Sequence, residues 1–380
     1  MSTHKAIATT SKGVLEEISL PTPAPGPGEV LIQVHYAGMI PFDTYQLDRA
    51  YHVAEYPLVL GFSASGVVKA VGDGVDDLQV GDKVASFNYP SSKNKSLQEF
   101  TLVSRHVVAK VSLLTNVPAP IPRIDTSAQL PPSYPIEQAA SIPDNYVTAF
   151  WTLFGSPNLA LPHPSFPPSS PPSDASAPIL VYGAGASAGQ YTVQLLKLAG
   201  YTNVLATASP RNHALLHELG ATNCFDYRSP NLVEEILAAT GGQPVKYAVD
   251  TIAARPSLQA VRSVVGNESK VAILMPVKDG DTVTNAVDSE MHIQFPAWTA
   301  DLFKDVEIRP VYTFKYQEEK YAQETIMPIA LLQLLKGGQL KANRIRLLDQ
   351  GPLKQRVETG LDLLRNNKIS GEKVVVTVIN

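Results

Sequence analysis

Apolar and polar positions follow two different periods along this chain, and the change of period divides it. Up to about residue 110 the period is two. Lys5–Thr9 reads as a strand, and Gly28-Glu29-Val30-Leu31-Ile32-Gln33-Val34-His35-Tyr36 alternates as a half-buried strand does. Gly61–Val71 is rich in glycine and β-branched residues, and Val80–Ala85 turns into another strand. Short strands punctuated by Gly and Pro predict a β-rich, barrel-like unit. From about Glu137 helical periods take over and alternate with short apolar runs. Helices are predicted over Gly189–Ala199, Asn212–Leu219, Leu232–Ala239 and Leu258–Val265. Strands are predicted over Ile179–Tyr182, Val204–Ala208, Thr222–Asp226, Tyr247–Ile252 and Val271–Leu274. That alternation predicts βαβ units and a doubly wound parallel sheet, an α/β fold. Helices at Ile326–Lys336 and Leu353–Asn366 follow, and the strand Lys373–Val378 is expected to return to the first unit.

One boundary in this pattern carries chemistry. The strand Ile179-Leu180-Val181-Tyr182 runs into Gly183-Ala184-Gly185-Ala186-Ser187-Ala188-Gly189 and then directly into a helix. A helix N-terminus offers free N–H groups and the positive end of its dipole. Small residues before it let a pyrophosphate approach the backbone. A glycine string alone is weak evidence, but its place after a strand and before a helix makes it a dinucleotide signature. Gly183, Gly185, Ala186, Ser187, Ala188 and Gly189 are therefore candidate cofactor contacts.

The second strand decides which dinucleotide. An NAD site places Asp or Glu about 20 residues on, to hold the ribose 2′-hydroxyl. Here Val204–Ala208 is followed by Ser209-Pro210-Arg211, with no carboxylate. A hydroxyl and a guanidinium suit a 2′-phosphate. Tyr227 and Arg228, after the third strand, are placed to close over the same end. The expected cofactor is NADPH, held through Ser209, Arg211, Tyr227 and Arg228; the alternative is that both arginines are ordinary surface residues. The nicotinamide is expected near Asn145–Ala149, Asp250–Ile252 and Leu274–Pro276, at the carboxyl ends of the strands. Thr148, Ile252, Leu274 and Met275 are the contacts assigned there.

Bulk properties narrow the rest. The 380 residues suffice for two domains, and 44% hydrophobic with 17% charged content is that of a soluble globular protein. A net charge of −4 without basic runs argues against nucleic acid or anionic membrane as partners. No signal-like or membrane-length apolar run occurs, so a cytoplasmic protein is expected. The single cysteine, Cys224, lies in a predicted strand and excludes an internal disulfide or a multi-cysteine metal site. Proline is in excess, 31 residues against about 19 at ordinary usage. Two clusters hold much of it, Val117–Pro135 and Leu161–Pro178. The second is expected to be a mobile, dispensable insertion.

Over nearly its full length the chain resembles a medium-chain dehydrogenase/reductase. The resemblance is carried by PAPGPGEVLIQVHYAGM, YPLVLGFSASGVVKAVGDGV, VGDKVA, EQAASIPDNYVTAFWTL, YGAGASAG, LGATNCFDY and SGEKVVVTV. It implies a GroES-like catalytic domain (1–145 and 315–380) interrupted by a Rossmann domain (146–314), with the active site in the cleft between them. Zinc members carry Gly-His-Glu where this chain has Gly61-Phe62-Ser63, and a ligand cysteine near Met39–Asp43, where there is none. A catalytic zinc needs three protein ligands, so no metal is expected. His213 and His217 have ligand spacing but lie on the helix after the adenosine strand, and are read as solvated imidazoles.

Among zinc-less branches the chain resembles fungal trans-acting enoyl reductases of polyketide biosynthesis, through Pro41-Phe42-Asp43, Ser209-Pro210-Arg211-Asn212 and Asp226–Asn231, and it shares its cofactor motifs with quinone oxidoreductases. The resemblance implies NADPH-dependent reduction of an activated C=C bond, enoyl thioester or enone, in secondary metabolism. The substrate would be a small molecule or carrier-bound, with a polyketide synthase as partner and the enzyme a monomer or homodimer. NADPH:quinone reduction and a non-catalytic, cofactor-retaining scaffold are the alternatives. Candidate catalytic residues are Thr148, for the cofactor amide or substrate carbonyl, and Asp43, Tyr45, Tyr51, His52 and Tyr146 for proton transfer. The residues leave water open as the donor too.

Overall fold

A computed structural model describes residues 2–111, 135–162, 170–280 and 290–379. Six parallel strands frame one side of the molecule. Their spatial order is Asn223–Asp226, Val204–Ala208, Ile179–Tyr182, Val245–Asp250, Val265–Leu274, Glu307–Val311. The chain starts mid-sheet, winds outward for three strands, then crosses back past the first to wind the other way. Ile179–Tyr182 is wholly buried. That is why it reads as an unbroken apolar run rather than an alternating one. Where the winding reverses, beyond the carboxyl ends of Ile179–Tyr182 and Val245–Asp250, this topology leaves a crevice.

The first unit is a seven-stranded sheet centred on Glu29–Met39, which pairs with Ser63–Val71, Phe100–Ser104 and the C-terminal Glu372–Thr377. The closing strand lays Val374–Thr377 antiparallel to Tyr36–Met39, so the end of the chain completes its beginning. Thr3–Ser11 forms a separate three-stranded sheet with Val14–Pro21 and Leu58–Val59. Helix Leu353–Arg365 seals this unit with Leu353, Val357 and Leu361 against Met39 and Val374.

Helix Pro143–Phe154 joins the halves. Its residues are buried on nearly all sides, which fits the mostly apolar run Tyr146–Phe154. One hydrophobic cluster runs from Val30 and Val84 through Tyr146 and Phe150 to Tyr191 and Leu195, so the two sheets share a core. The expected boundaries at 145/146 and 314/315 both fall inside helical segments, Pro143–Phe154 and Thr313–Glu318.

Several element expectations shift for identifiable reasons. The helix expected at Leu258–Val265 runs Arg255–Arg262, started by Pro256 in its first turn. The strand expected at Val271–Leu274 begins at Val265, its first half hidden by the polar run Gly266-Asn267-Glu268. The single helix expected at Ile326–Lys336 is preceded by Lys320–Thr325, widens to a π-turn over Ile326–Leu331 and closes as Leu332–Lys336. Pro328 lacks the N–H a regular helix needs there, and the wider turn accommodates it.

The Leu161–Pro178 segment departs from a freely mobile insertion at both ends. Leu161 is buried and its N–H donates to Leu153 O at 2.9 Å. Asp174 accepts from Lys246 Nζ and Tyr247 OH, each at 2.9 Å, and Ala175 O accepts from Thr202 N at 2.8 Å. Residues 163–169 lie outside the described residues, as does most of the Val117–Pro135 cluster. Among the described residues no helix is long and apolar enough to cross a membrane.

Candidate active site

A cleft of about 1120 Å³ lies between the two sheets. That exceeds the roughly 300–1,000 Å³ of a site for one drug-sized ligand. Its first wall is backbone. Gly183 leaves the strand with φ +80°, and a Cβ there would meet Thr251 Oγ1 and Ile252 Cγ1 at 2.6 Å. Its N–H donates to Thr207 Oγ1 at 3.0 Å, which pins the turn to the second strand. Helix Ser187–Leu198 starts at Ala186 with no side-chain cap, so its first-turn N–H groups face the cleft uncapped. Gly183, Gly185, Ala186, Ser187 and Ala188 line the cleft. Gly189 does not; a Cβ on it would lie 2.7 Å from Gly183 O and from Ala184 Cα, so it sets the close packing of helix on turn.

At the end expected to take adenosine, Ser209, Arg211 and Tyr227 line the cleft, while Arg228 does not. Arg228 is turned onto Asp226 in an exposed pair, with Nε to Oδ1 and Nη2 to Oδ2 both at 3.0 Å. Arg211 is exposed, and its Nε donates to Ser370 Oγ at 3.2 Å; Asn212 Nδ2 donates to the same oxygen at 3.1 Å. The loop before the last strand therefore reaches the adenosine end from the other unit. Asn212 and Ser370 each stand in a segment that carries the family resemblance, but their meeting across 158 residues has no local signal.

Thr251, Ile252, Leu274, Met275 and Pro276 form the wall beyond. Thr148 faces them, but its hydroxyl donates to Asp144 O at 2.7 Å and lies 3.0 Å from Thr313 Oγ1. Its one proton is thus taken by its own helix backbone, and in the contact with Thr313 the Thr148 oxygen accepts.

The opposite wall is aromatic: Phe42, Tyr51, Phe62, Phe87, Tyr89, Tyr312 and Phe314 line it. Tyr89 stacks on Phe314 with ring centroids 3.9 Å apart, and Phe42 meets Phe62 edge-on at 5.2 Å. Beneath Phe62, the Lys95 ammonium sits 3.2 Å from the ring centroid and is fully buried. Burial pushes it down to about 7.

The acid candidates separate. Asp43 is buried below the wall, with Oδ2 accepting from Ile40 N at 2.9 Å and Oδ1 from Gly61 N at 2.8 Å. Burial pushes it up to about 6, yet both oxygens bind backbone and it is not among the cleft-lining residues. Its two contacts hold the Gly61 turn and set it apart from the cleft-lining candidates for proton transfer. Tyr146 is likewise set apart: it is fully buried, with its OH 3.5 Å from Ile326 O and its ring against Tyr191. Tyr45, Tyr51 and His52 line the cleft; burial raises both tyrosines, Tyr51 to about 12, and lowers His52. Asp144 and Lys373, which the sequence reading did not single out, also line it and form a buried ion pair. The signal available was a charged residue at each of two positions where the pattern calls for apolar ones, IPDNYVTAF and GEKVVVTV.

The histidines at ligand spacing are each engaged with backbone: His213 Nε2 lies 3.1 Å from Ala208 O and His217 Nδ1 2.9 Å from Ala221 O. Among the described residues one group of three metal-type ligands occurs, Asp279, Glu290 and His292, outside the cleft lining. Asp279 there already holds Trp298 Nε1 at 2.7 Å and His292 Nε2 at 3.1 Å. Cys224 is half-buried, and burial raises it to about 11.

Comparisons with known proteins agree with this architecture. The family described as Alcohol dehydrogenase GroES-like domain matches residues 26–112, and that described as Zinc-binding dehydrogenase matches 188–298. The chain is similar to trans-enoyl reductase pvhC of Talaromyces variabilis, 29% identical over 97% of this chain and 95% of that one. It is also similar to trans-enoyl reductase tazE of Aspergillus terreus, 33% identical over 66% and 78% of the two. In three dimensions it resembles the CurK enoyl reductase and a Pseudomonas syringae quinone oxidoreductase, each with a TM-score of 0.73. These are 20% and 21% identical and cover 98% of this chain and 99% of theirs.

Proposed function

This chain belongs to the medium-chain dehydrogenase/reductase family and groups with its trans-enoyl reductases, and from that premise we infer that it reduces the activated C=C bond of an enoyl thioester or enone with NADPH. The carrying observation is one cleft that joins a backbone-built dinucleotide wall to an aromatic pocket floored by Phe62. NADPH, when bound, supplies a hydride for the β-carbon. The turn Gly183–Ala188 and the uncapped helix start suit its pyrophosphate. Ser209 and Arg211 suit the 2′-phosphate, with Tyr227 beside the adenine end and no carboxylate after Ala208 to favour a free 2′-hydroxyl. Ile252, Leu274 and Met275 offer an apolar wall for the nicotinamide. The aromatic wall offers a bound substrate an apolar surface, which strengthens charge stabilisation once the substrate displaces water.

The donor set argues for chemistry without zinc. Where a ligand histidine stands in zinc members, this chain has Phe62 with Lys95 behind it, and Lys373 is buried nearby. A cation there would face two lysine side chains and neither imidazole nor thiolate. The relatives named trans-enoyl reductases support a polyketide synthase partner that presents a carrier-bound thioester. The stacked Tyr89 and Phe314 rings favour planar, conjugated substrates, and so keep quinone reduction as the second reading.

Rates of NADPH oxidation against enoyl thioesters, enones and quinones test the proposal. Fastest turnover is expected with an unsaturated thioester, unaffected by chelators, and a saturated product. Turnover confined to quinones contradicts it.

A further inference from the structure

Four charged side chains are buried between the cleft and the first sheet: Asp43, Lys95, Asp144 and Lys373, none more than 3% exposed. Asp43 is occupied by two backbone N–H groups and Lys95 by the Phe62 ring, with Gln46 Oε1 at 3.5 Å. Asp144 and Lys373 differ, because they line the cleft. Lys373 Nζ donates to Asp144 Oδ1, which also accepts from Asn145 N and Nδ2 at 2.8 Å each. Asp144 Oδ2 is buried without a partner. Buried polar atoms are almost always satisfied, so this orphan oxygen, sealed behind the cleft lining, marks a place for a proton. Gly38 makes room for this lysine: a Cβ on it would meet Lys373 Cε at 2.8 Å. An apolar pair of similar volume would serve stability as well or better. The pair sits one helical turn from Thr148, on the wall assigned to the nicotinamide end.

We propose that Lys373, held in place by Asp144, gives the proton that completes C=C reduction, an assignment that rests on the reading of the chain as an enoyl reductase. As hydride adds to the β-carbon, the C=C electron pair moves to the α-carbon and is shared with the carbonyl oxygen. The Lys373 N–H bond breaks, a C–H bond forms at the α-carbon, and Lys373 is left as a neutral amine. The balance is substrate plus NADPH plus one proton, giving saturated product and NADP⁺. Once neutral, Lys373 leaves Asp144 as a buried uncompensated carboxylate beside Asp43. That recharges the lysine from solvent when product leaves. Burial weakens the hold of Lys373 on its proton while Asp144 strengthens it, and these opposed effects suit a group that must both give and regain one.

Two variants of the full chain test this. Lys373→Arg keeps Asp144 paired but cannot release a proton at working pH. Lys373→Met with Asp144→Asn removes both charges together. Each is assayed for melting temperature, NADPH binding, turnover in D2O and stereochemistry of the saturated product. Wild-type protein should place deuterium on one face of the α-carbon. The variants should bind NADPH unchanged, lose at least about a hundredfold in kcat, and deuterate both faces while hydride still reaches the β-carbon. The alkaline limb of the wild-type pH profile should vanish in the double variant. Either variant folded, with wild-type rate and single-face deuteration, overturns the assignment. Wild-type protein that never delivers hydride to a β-carbon overturns the functional reading itself, and this assignment with it.

Discussion

The phosphate-type end of the parallel-sheet wall comes from one local turn, Gly183 to Ala188 with Gly189 packed behind it, whereas the opposite floor is drawn from Phe42, Phe62, Asp144 and Lys373, far apart in the chain. The first wall works through its backbone, so it tolerates changes of side-chain chemistry and fails when the backbone is forced apart. The floor works through side chains that desolvate one another, and it fails when a single partner is removed. The two walls should thus break differently.

The largest effect is expected on the floor. Lys373→Met alone strands Asp144 without its counter-charge, and should cost about 3–5 kcal/mol in chemical denaturation. Adding Asp144→Asn should return most of that loss. A single variant as stable as wild type would mean the floor is not held by this pair.

Next comes the backbone wall. Gly189→Val would drive a side chain against Gly183 O and the Ala184 backbone, 2.7 Å away, and should cost about 1–3 kcal/mol. NADPH affinity should fall with it, because the turn moves. Unchanged binding by calorimetry would show that the turn is not the phosphate cradle.

Arg211→Ala tests the rim, where the two units meet through Ser370. NADPH binding should weaken about tenfold, or ~1.4 kcal/mol, with NADH affinity unmoved. Equal weakening of both cofactors would assign Arg211 to domain contact and not to the 2′-phosphate.

The smallest effect has the opposite sign. Lys278 is buried at the cleft edge, and burial pushes it down to about 8 from its ordinary 10.5. The unfolded chain binds that proton more readily, so stability is lost as pH falls from about 10.5 towards 8, and the cost is complete below 8. Asp250 keeps Ile252 N, Ala253 N and Ser257 Oγ without it. Lys278→Met should therefore gain on the order of 1 kcal/mol at pH 7, shrinking by pH 10. A thermal-melting gain independent of pH would refute the linkage.

The same contrast explains what was legible in the sequence. Val204–Ala208 and Leu232–Ala239 have the bounds their patterns predict, and the strand–turn–helix at Ile179–Leu198 is read locally because its function is local. Asp43 drew notice from its Pro-x-Asp setting, yet the acid of that step binds backbone. Lys373 and Asp144 lie 229 residues apart; each falls in a segment that carries the family resemblance, SGEKVVVTV and EQAASIPDNYVTAFWTL, but nothing local pairs the two. Arg228 shows a related limit of local reading: its partner Asp226 is two residues away, and the exposed pair sets its side chain off the cleft lining.

Transfer of label from NADPH deuterated at the reactive carbon tests the central claim most directly, with an unsaturated acyl thioester as substrate and mass and NMR analysis of the product. Deuterium at the β-carbon of a saturated thioester, one atom per NADPH consumed, is the predicted result. NADPH consumed with label found only in a hydroquinone, or with semiquinone formed and the C=C bond intact, would contradict it.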